Sequence, residues 1–316
     1  MSLIIGINLS DRVYLSADTR LTFRVDGKDK YLDNILKIKP LSQEIAVTVA
    51  GEIDLAAFIV RGLIKSKISK VNIRDFRNSI EELVKSLADG YLKRNHRIGK
   101  ACFIFAGINR KQKKVIDMHR YVEITKEFQK ETGSPMNMKD IIFKGLERKG
   151  SGGLVEISSP DSHVFCVQIL PQNFIIEDVN WGDFIAYGGG LNKENLPSRF
   201  FGQFEVAAKN NELQHDRGWL DIFMKTVAEE NNVQTIGGCI TSLMISDKIS
   251  GMLLGGTKRK KIGGIIVPND EVISEISIIN KKLHCLINNE RHKLIPFVIY
   301  PDMLLKKYPR AEQLIF

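Results

Sequence analysis

Ser2-Leu3-Ile4-Ile5-Gly6-Ile7-Asn8-Leu9-Ser10-Asp11-Arg12-Val13-Tyr14-Leu15-Ser16-Ala17-Asp18-Thr19-Arg20 reads as a β-hairpin that ends in an acid and a base. Residues 3–9 are apolar and largely β-branched, Ser10-Asp11-Arg12 supplies the turn, and 13–17 return. Asp18 and Arg20 stand two residues apart, so on a strand their side chains share a face. A carboxylate at the end of a buried strand needs a partner, because an unpaired buried charge costs on the order of several kcal/mol. Arg20 can supply that partner, and so can a lysine from elsewhere.

Working outward, Asp26-Gly27 marks a loop, and residues 35–38 and 44–49 form a second strand pair. The period then changes. Ile53, Ala56, Ala57, Val60, Leu63 and Ile64 recur at helical spacing, predicting a helix over 53–67. Asn72 reads as the N-cap of a second helix over 73–91, with Asp75 near its positive end. A buried strand is expected over 101–109. Residues 110–160 are looser, with short helices expected at about 120–130 and 136–148 and a Gly150-Ser151-Gly152-Gly153 stretch. Strands follow at 164–169, 174–179 and 184–186, then helices at about 193–211 and 217–231, then strands at 240–245 and 252–254. The tail, 262–316, holds strand-like runs and a last short helix near Met303. This order predicts an α+β fold, a four-layer αββα sandwich, in one domain spanning 1–316. Within it, 110–161 is an insertion and 256–316 a C-terminal extension.

Composition narrows the class. With 43% hydrophobic residues in 316, the chain can build a sizeable core, and 26% charged residues argue against global disorder. Cys102, Cys166, Cys239 and Cys285 are far apart, so no zinc site of the usual spacing forms. Thiols within apolar runs suit a reducing, cytoplasmic setting. No apolar run near Met1 has the length of a signal peptide or membrane span. The net charge of +9 is spread along the chain. Its densest clusters, Arg110-Lys111-Gln112-Lys113-Lys114 and Lys258-Arg259-Lys260-Lys261, lie between strand-like runs and read as solvated turns. An anion- or nucleic-acid-binding role for them is the lesser reading. No phosphate-loop, HExxH or GxSxG motif is present, and no cofactor or metal is expected.

Three further residues carry chemistry with Asp18. Ser2 follows Met1, and removal of Met1 would place a hydroxyl and a free α-amine on one residue. An α-amine has an ordinary pKa of about 7.7–8.0 and serves as a base near neutrality. Lys37 lies within Ile35-Leu36-Lys37-Ile38. If it shares a face with Ile35, burial lowers its proton affinity. Gly51, after the run 45–49 and Ala50, lets backbone approach a ligand, and its N–H can stabilise an oxyanion.

Together these residues resemble the proteasome β-subunit family of N-terminal-nucleophile hydrolases. The shared pattern is a nucleophile ahead of an apolar hairpin and an acid-x-Arg at its end. Lys37-Ile38-Lys39-Pro40-Leu41 and Ala50-Gly51 before a helix continue it, as does Gly237-Gly238-Cys239-Ile240 before a core strand. The resemblance covers 1–109 and about 162–255. It implies Ser2 as nucleophile, Asp18 orienting Lys37, and the Gly51 amide in an oxyanion hole, with Arg20 in support. It also implies a peptide or other amide substrate, hydrolysis or transfer, and homo-oligomeric assembly. The family's Gly-Ser-Gly turn is Gly188-Gly189-Gly190 here, so Gly189 replaces a supporting serine. The family's Asp-x-x-Ser is Val233-Gln234-Thr235-Ile236, where Thr235 alone offers a side-chain hydroxyl. These departures sustain an alternative: a catalytically inactive, proteasome-like assembly or binding protein.

Overall fold

A computed structural model describes residues 2–9, 12–66, 68, 71–96, 99–110, 113–117, 130, 147–148, 154–158, 161–188, 237–246, 252–254, 259–262, 265–268, 276–279, 282–287, 290–299 and 312–313. The front of the chain gives β1 (Ile4–Leu9), β2 (Arg12–Asp18), β3 (Leu21–Val25), β4 (Lys28–Leu32), β5 (Ile35–Leu36), β6 (Ile38–Pro40) and β7 (Ile45–Gly51). Helices α1 (Ile53–Ser66) and α2 (Ile73–Asn95) follow, then β8 (Ala101–Asn109). Next come β9 (Lys113–Asp117), β10 (Glu147–Arg148), β11 (Leu154–Ser158), β12 (Asp161–Leu170), β13 (Asn173–Val179) and β14 (Phe184–Tyr187). The remainder is β15 (Ile240–Ser246), β16 (Met252–Leu254), β17 (Arg259–Ile262), β18 (Ile265–Pro268), β19 (Ile276–Ile279), β20 (Lys282–Ile287), β21 (Glu290–Lys293), β22 (Ile295–Pro296) and β23 (Glu312–Gln313).

The chain divides into two compact units. Asn109–Asp161 holds a three-stranded antiparallel sheet in the order β10-β11-β9. The other unit, Met1–Ile108 with Ser162–Phe316, contains two five-stranded sheets, β14-β1-β2-β15-β16 and β13-β12-β8-β7-β6. Their facing residues form one apolar cluster: Ile4, Leu15 and Ala17 from the first, Ala46, Ala50, Ile104 and Cys166 from the second. Gly6 permits a close approach, since a Cβ there would stand 2.5 Å from Ile104 Cγ2. The opposite face of the second sheet packs against both helices. Along β8, Phe103 and Phe105 turn to the helices while Cys102, Ile104 and Ala106 turn to the first sheet, as the two-residue repeat of a strand requires. Phe105 stacks on Phe165 at 5.1 Å and meets Phe76 of α2 at 5.3 Å.

The helices begin and end for local reasons. The Asn72 side chain caps α2 by accepting from the Asp75 N–H at 3.0 Å, and Asp75 suits the positive end. His96 takes a left-handed φ of 58° to close the other end. No helix among the described residues is long and apolar enough to cross a membrane.

The four-layer αββα expectation is overturned. Strands dominate, and the two α-helices described over more than a single residue, α1 and α2, both cover the same sheet. The α+β balance was overestimated because the tail and the 110–161 stretch contribute small antiparallel sheets: β17-β18, β19-β20-β21 and β10-β11-β9. Of the helices expected at about 120–130 and 136–148, only Lys130, Glu147 and Arg148 are described: Lys130 is helical and Glu147–Arg148 is strand. The helices expected at 193–211 and 217–231, and near Met303, lie outside the described residues.

Phe105 joins the helix layer to the sheet, so Phe105→Ala is predicted to cost about 3–5 kcal/mol in urea unfolding. A loss below about 1 kcal/mol would contradict this packing.

Candidate functional site

The hairpin expectation becomes geometry at the end of β2. Asp18 pairs with Ile240 across the ladder, and its carboxylate is fully buried. Its Oδ1 accepts from the Leu3 N–H at 2.9 Å and from Lys37 Nζ at 2.7 Å. Its Oδ2 accepts from the Arg20 N–H at 3.1 Å and the Gly237 N–H at 3.3 Å. Four donors therefore surround one carboxylate, three of them backbone amides from separate parts of the chain. Such saturation is what makes a buried charge tolerable.

Lys37 sits between β5 and β6 and is 1% exposed. Ile35, two residues earlier, is also buried, in the helix-side core. Besides Asp18, Lys37 Nζ donates to Ser2 Oγ at 2.8 Å. Ser2, Lys37 and Asp18 thus form a continuous chain of contacts. Burial lowers the Lys37 proton affinity from its ordinary 10.5; Asp18 opposes that shift through charge and hydrogen bond, and Asp33 more weakly. Arg20 pushes it in the same direction as burial.

Arg20 turns its guanidinium to Asp33. Its guanidinium grips Asp33 through two bonds, at 2.6 and 2.8 Å, and lies 5.1 Å from the Tyr31 ring centre. Its backbone N–H donates to Asp18 and its charge acts on that carboxylate, while Lys37 is the side-chain cation in direct contact with it. Gly51 ends β7 opposite Ala101 with φ of 93°. A Cβ there would collide with the Lys100 carbonyl, 2.2 Å away. Its position is therefore a glycine position, but the contacts joining Ser2, Lys37 and Asp18 do not run through it. Gly189 and Thr235 lie outside the described residues.

Several supporting groups escaped sequence reasoning. Gly188 has φ of 104°, and a Cβ on it would stand 1.5 Å from the Ser2 carbonyl oxygen; the glycine triplet was the visible signal. Thr19 Oγ1 accepts from the Cys239 N–H at 2.9 Å and donates to the Asp33 carbonyl. Gly238, with φ of 75°, leaves room for that hydroxyl. Asp33 had no local motif to announce it. Among the described residues no group of three or more His, Cys, Asp or Glu is arranged to hold a metal ion. The four cysteines are free thiols and buried.

No known family profile matches this chain, and no curated protein matches its sequence.

Removing one member of a buried pair leaves the other uncompensated, so Asp18→Ala is predicted to lose about 3–5 kcal/mol in urea unfolding. The pH dependence follows from Lys37. Between its lowered folded value and 10.5, the unfolded chain binds more protons, so stability rises with pH across that window. Unfolding free energies of the native protein and Lys37→Met, compared over that range, should diverge in favour of the native protein as pH increases. Parallel curves would contradict the lowered value.

Proposed function

We propose that the protein cleaves or transfers amide bonds through Ser2, in the manner of the N-terminal-nucleophile hydrolases its front motif resembles. The observation that carries this reading is the contact of Lys37 Nζ with both Ser2 Oγ and Asp18. It rests on that local arrangement and not on the overall architecture.

The chemistry requires cleavage of the Met1–Ser2 bond. The freed α-amine then accepts the Ser2 hydroxyl proton as Oγ attacks the carbonyl carbon of a peptide or small amide. Lys37, oriented by Asp18, favours the developing alkoxide by its adjacent positive charge. The tetrahedral oxyanion needs a donor, and the Gly51 N–H is the candidate, supported by its place at the end of β7 and its bar to a side chain. Collapse breaks the C–N bond, and the departing nitrogen takes the proton from the α-amine. Water, or another amine in a transfer, then releases the ester formed on Ser2.

The alternative, a non-catalytic assembly or binding protein, draws on one observation: Ser2 is only 9% exposed, so the ion pair could serve stability alone. Homo-oligomerisation belongs to either reading.

A β-lactone probe separates them. Processed protein should carry one adduct on Ser2, Ser2→Ala should carry none, and Lys37→Met should label about 100-fold more slowly or worse. Processed Ser2 that never labels, or equal labelling of Ser2→Ala, would overturn the catalytic reading.

A further inference from the structure

The tail reaches the strand that leads into the lysine. β22 runs parallel to β5, with Ile295 opposite Ile35 and Pro296 opposite Leu36. The Ile295 N–H donates to the Asn34 carbonyl at 2.9 Å, and the Asn34 side-chain amide donates to the Lys293 carbonyl at 2.8 Å. The two residues before Lys37 are then gripped on opposite sides. Ile35 shares the helix-side core with Phe297, which is fully buried. Leu36 packs with Leu294, Cys285 and Cys239. The segment is fastened at both ends: the Leu294 N–H donates to the Leu283 carbonyl at 2.9 Å, and Arg61 Nε of α1 donates to the Val298 carbonyl at 2.6 Å. Cys239 extends the same cluster to the other side of the site, since it follows Gly237 and Gly238 and its own N–H holds Thr19. One small apolar cluster thus touches both the chain that carries Lys37 and the chain that donates to Asp18.

We propose that residues 294–299 are a positioning strap for Lys37, fixing its ammonium group against Asp18 and Ser2 from outside the catalytic contacts. The catalytic consequence rests on the function proposed above; the positioning itself does not. A two-residue strand such as β5 has little pairing of its own, and β22 supplies the neighbour that defines its path. Among the described residues the groups around Lys37 are Asp18 and Ser2 in contact, with Asp33 and Arg20 acting at longer range. A loosened strap admits water to Lys37, weakens the dominant effect of burial, and lets its proton affinity rise towards 10.5.

The test uses the full chain in two variants. Ile295→Pro removes the N–H donated to Asn34, and Asn34→Ala, at a partly exposed position, removes the bond to Lys293. The titration of Lys37 is followed by NMR of its side-chain carbon, assigned with Lys37→Met, and Ser2 labelling by a β-lactone is followed against pH. The Lys37 midpoint should move upward in each variant, and labelling near neutrality should slow by about 10- to 100-fold because the ammonium group is misplaced, the range expected for small misplacements. An unchanged Lys37 titration in folded Asn34→Ala overturns the strap, whatever Ile295→Pro does. If native processed Ser2 fails to label while the Lys37 midpoint still moves, the proposed catalysis is lost and the strap stands. If labelling is native in rate and pH profile while the midpoint moves, its catalytic consequence is overturned.

Discussion

Burying a lysine and an aspartate together imposes the strictest demand in this protein. Neither charge can leave water without replacement partners, and attraction between them does not by itself repay the loss. The remaining lone pairs of Asp18 are met by amides of Leu3, Arg20 and Gly237. These amides come from the entry to β1, the exit of β2 and the approach to β15. The pair can therefore exist only where three stretches of backbone meet, and those meetings in turn fix where Ser2 and Lys37 lie.

The two sheets and the helix layer provide the rigidity that such a meeting needs. β2 is central in its sheet, flanked by β1 and β15, so Asp18 is held by ladders on both sides. The second sheet packs on this one with Gly6 set close against Ile104 and Val164, and Ala46, Ala50 and Ala106 share the facing cluster. Outside the charged centre, a second tier of polar contacts keeps the loops in register. Arg20 with Asp33, and Thr19 with Cys239 and Asp33, tie the end of β2 to the approaches of β5 and β15. Glycines at 188 and 238 serve this convergence through backbone conformations that a side chain would oppose.

What could be read in the sequence was local. The opening hairpin, α1 and α2 follow from two-residue and helical periodicity, the Asn72 cap, and Gly51 before a helix. Lys37 could be read as buried or exposed from its apolar neighbours; all of Ile35, Leu36, Lys37 and Ile38 are buried, so no strand phase decided it. Long-range choices were not legible. Nothing near Arg20 says that its guanidinium prefers Asp33 to Asp18, because both carboxylates are plausible by spacing. The four-layer architecture failed for a related reason: the loose spacing of 110–161 did not announce the small separate sheet of β9, β10 and β11, and α1 and α2 both cover one sheet. The pairing of Ile295 with Ile35 spans most of the chain and leaves no mark on either segment. Its effect emerges only when the fold sets the two side by side.

Ser2 can serve as an amine-assisted nucleophile only if nothing is attached to its nitrogen, so the state of the Met1–Ser2 bond decides the central claim. N-terminal sequencing of the native protein, with its intact mass, measures this directly. The account predicts that the mature chain begins at Ser2 with an unmodified α-amine. A population that uniformly retains Met1, or carries an acylated Ser2, would contradict it and leave the Asp18–Lys37 pair as a structural element alone.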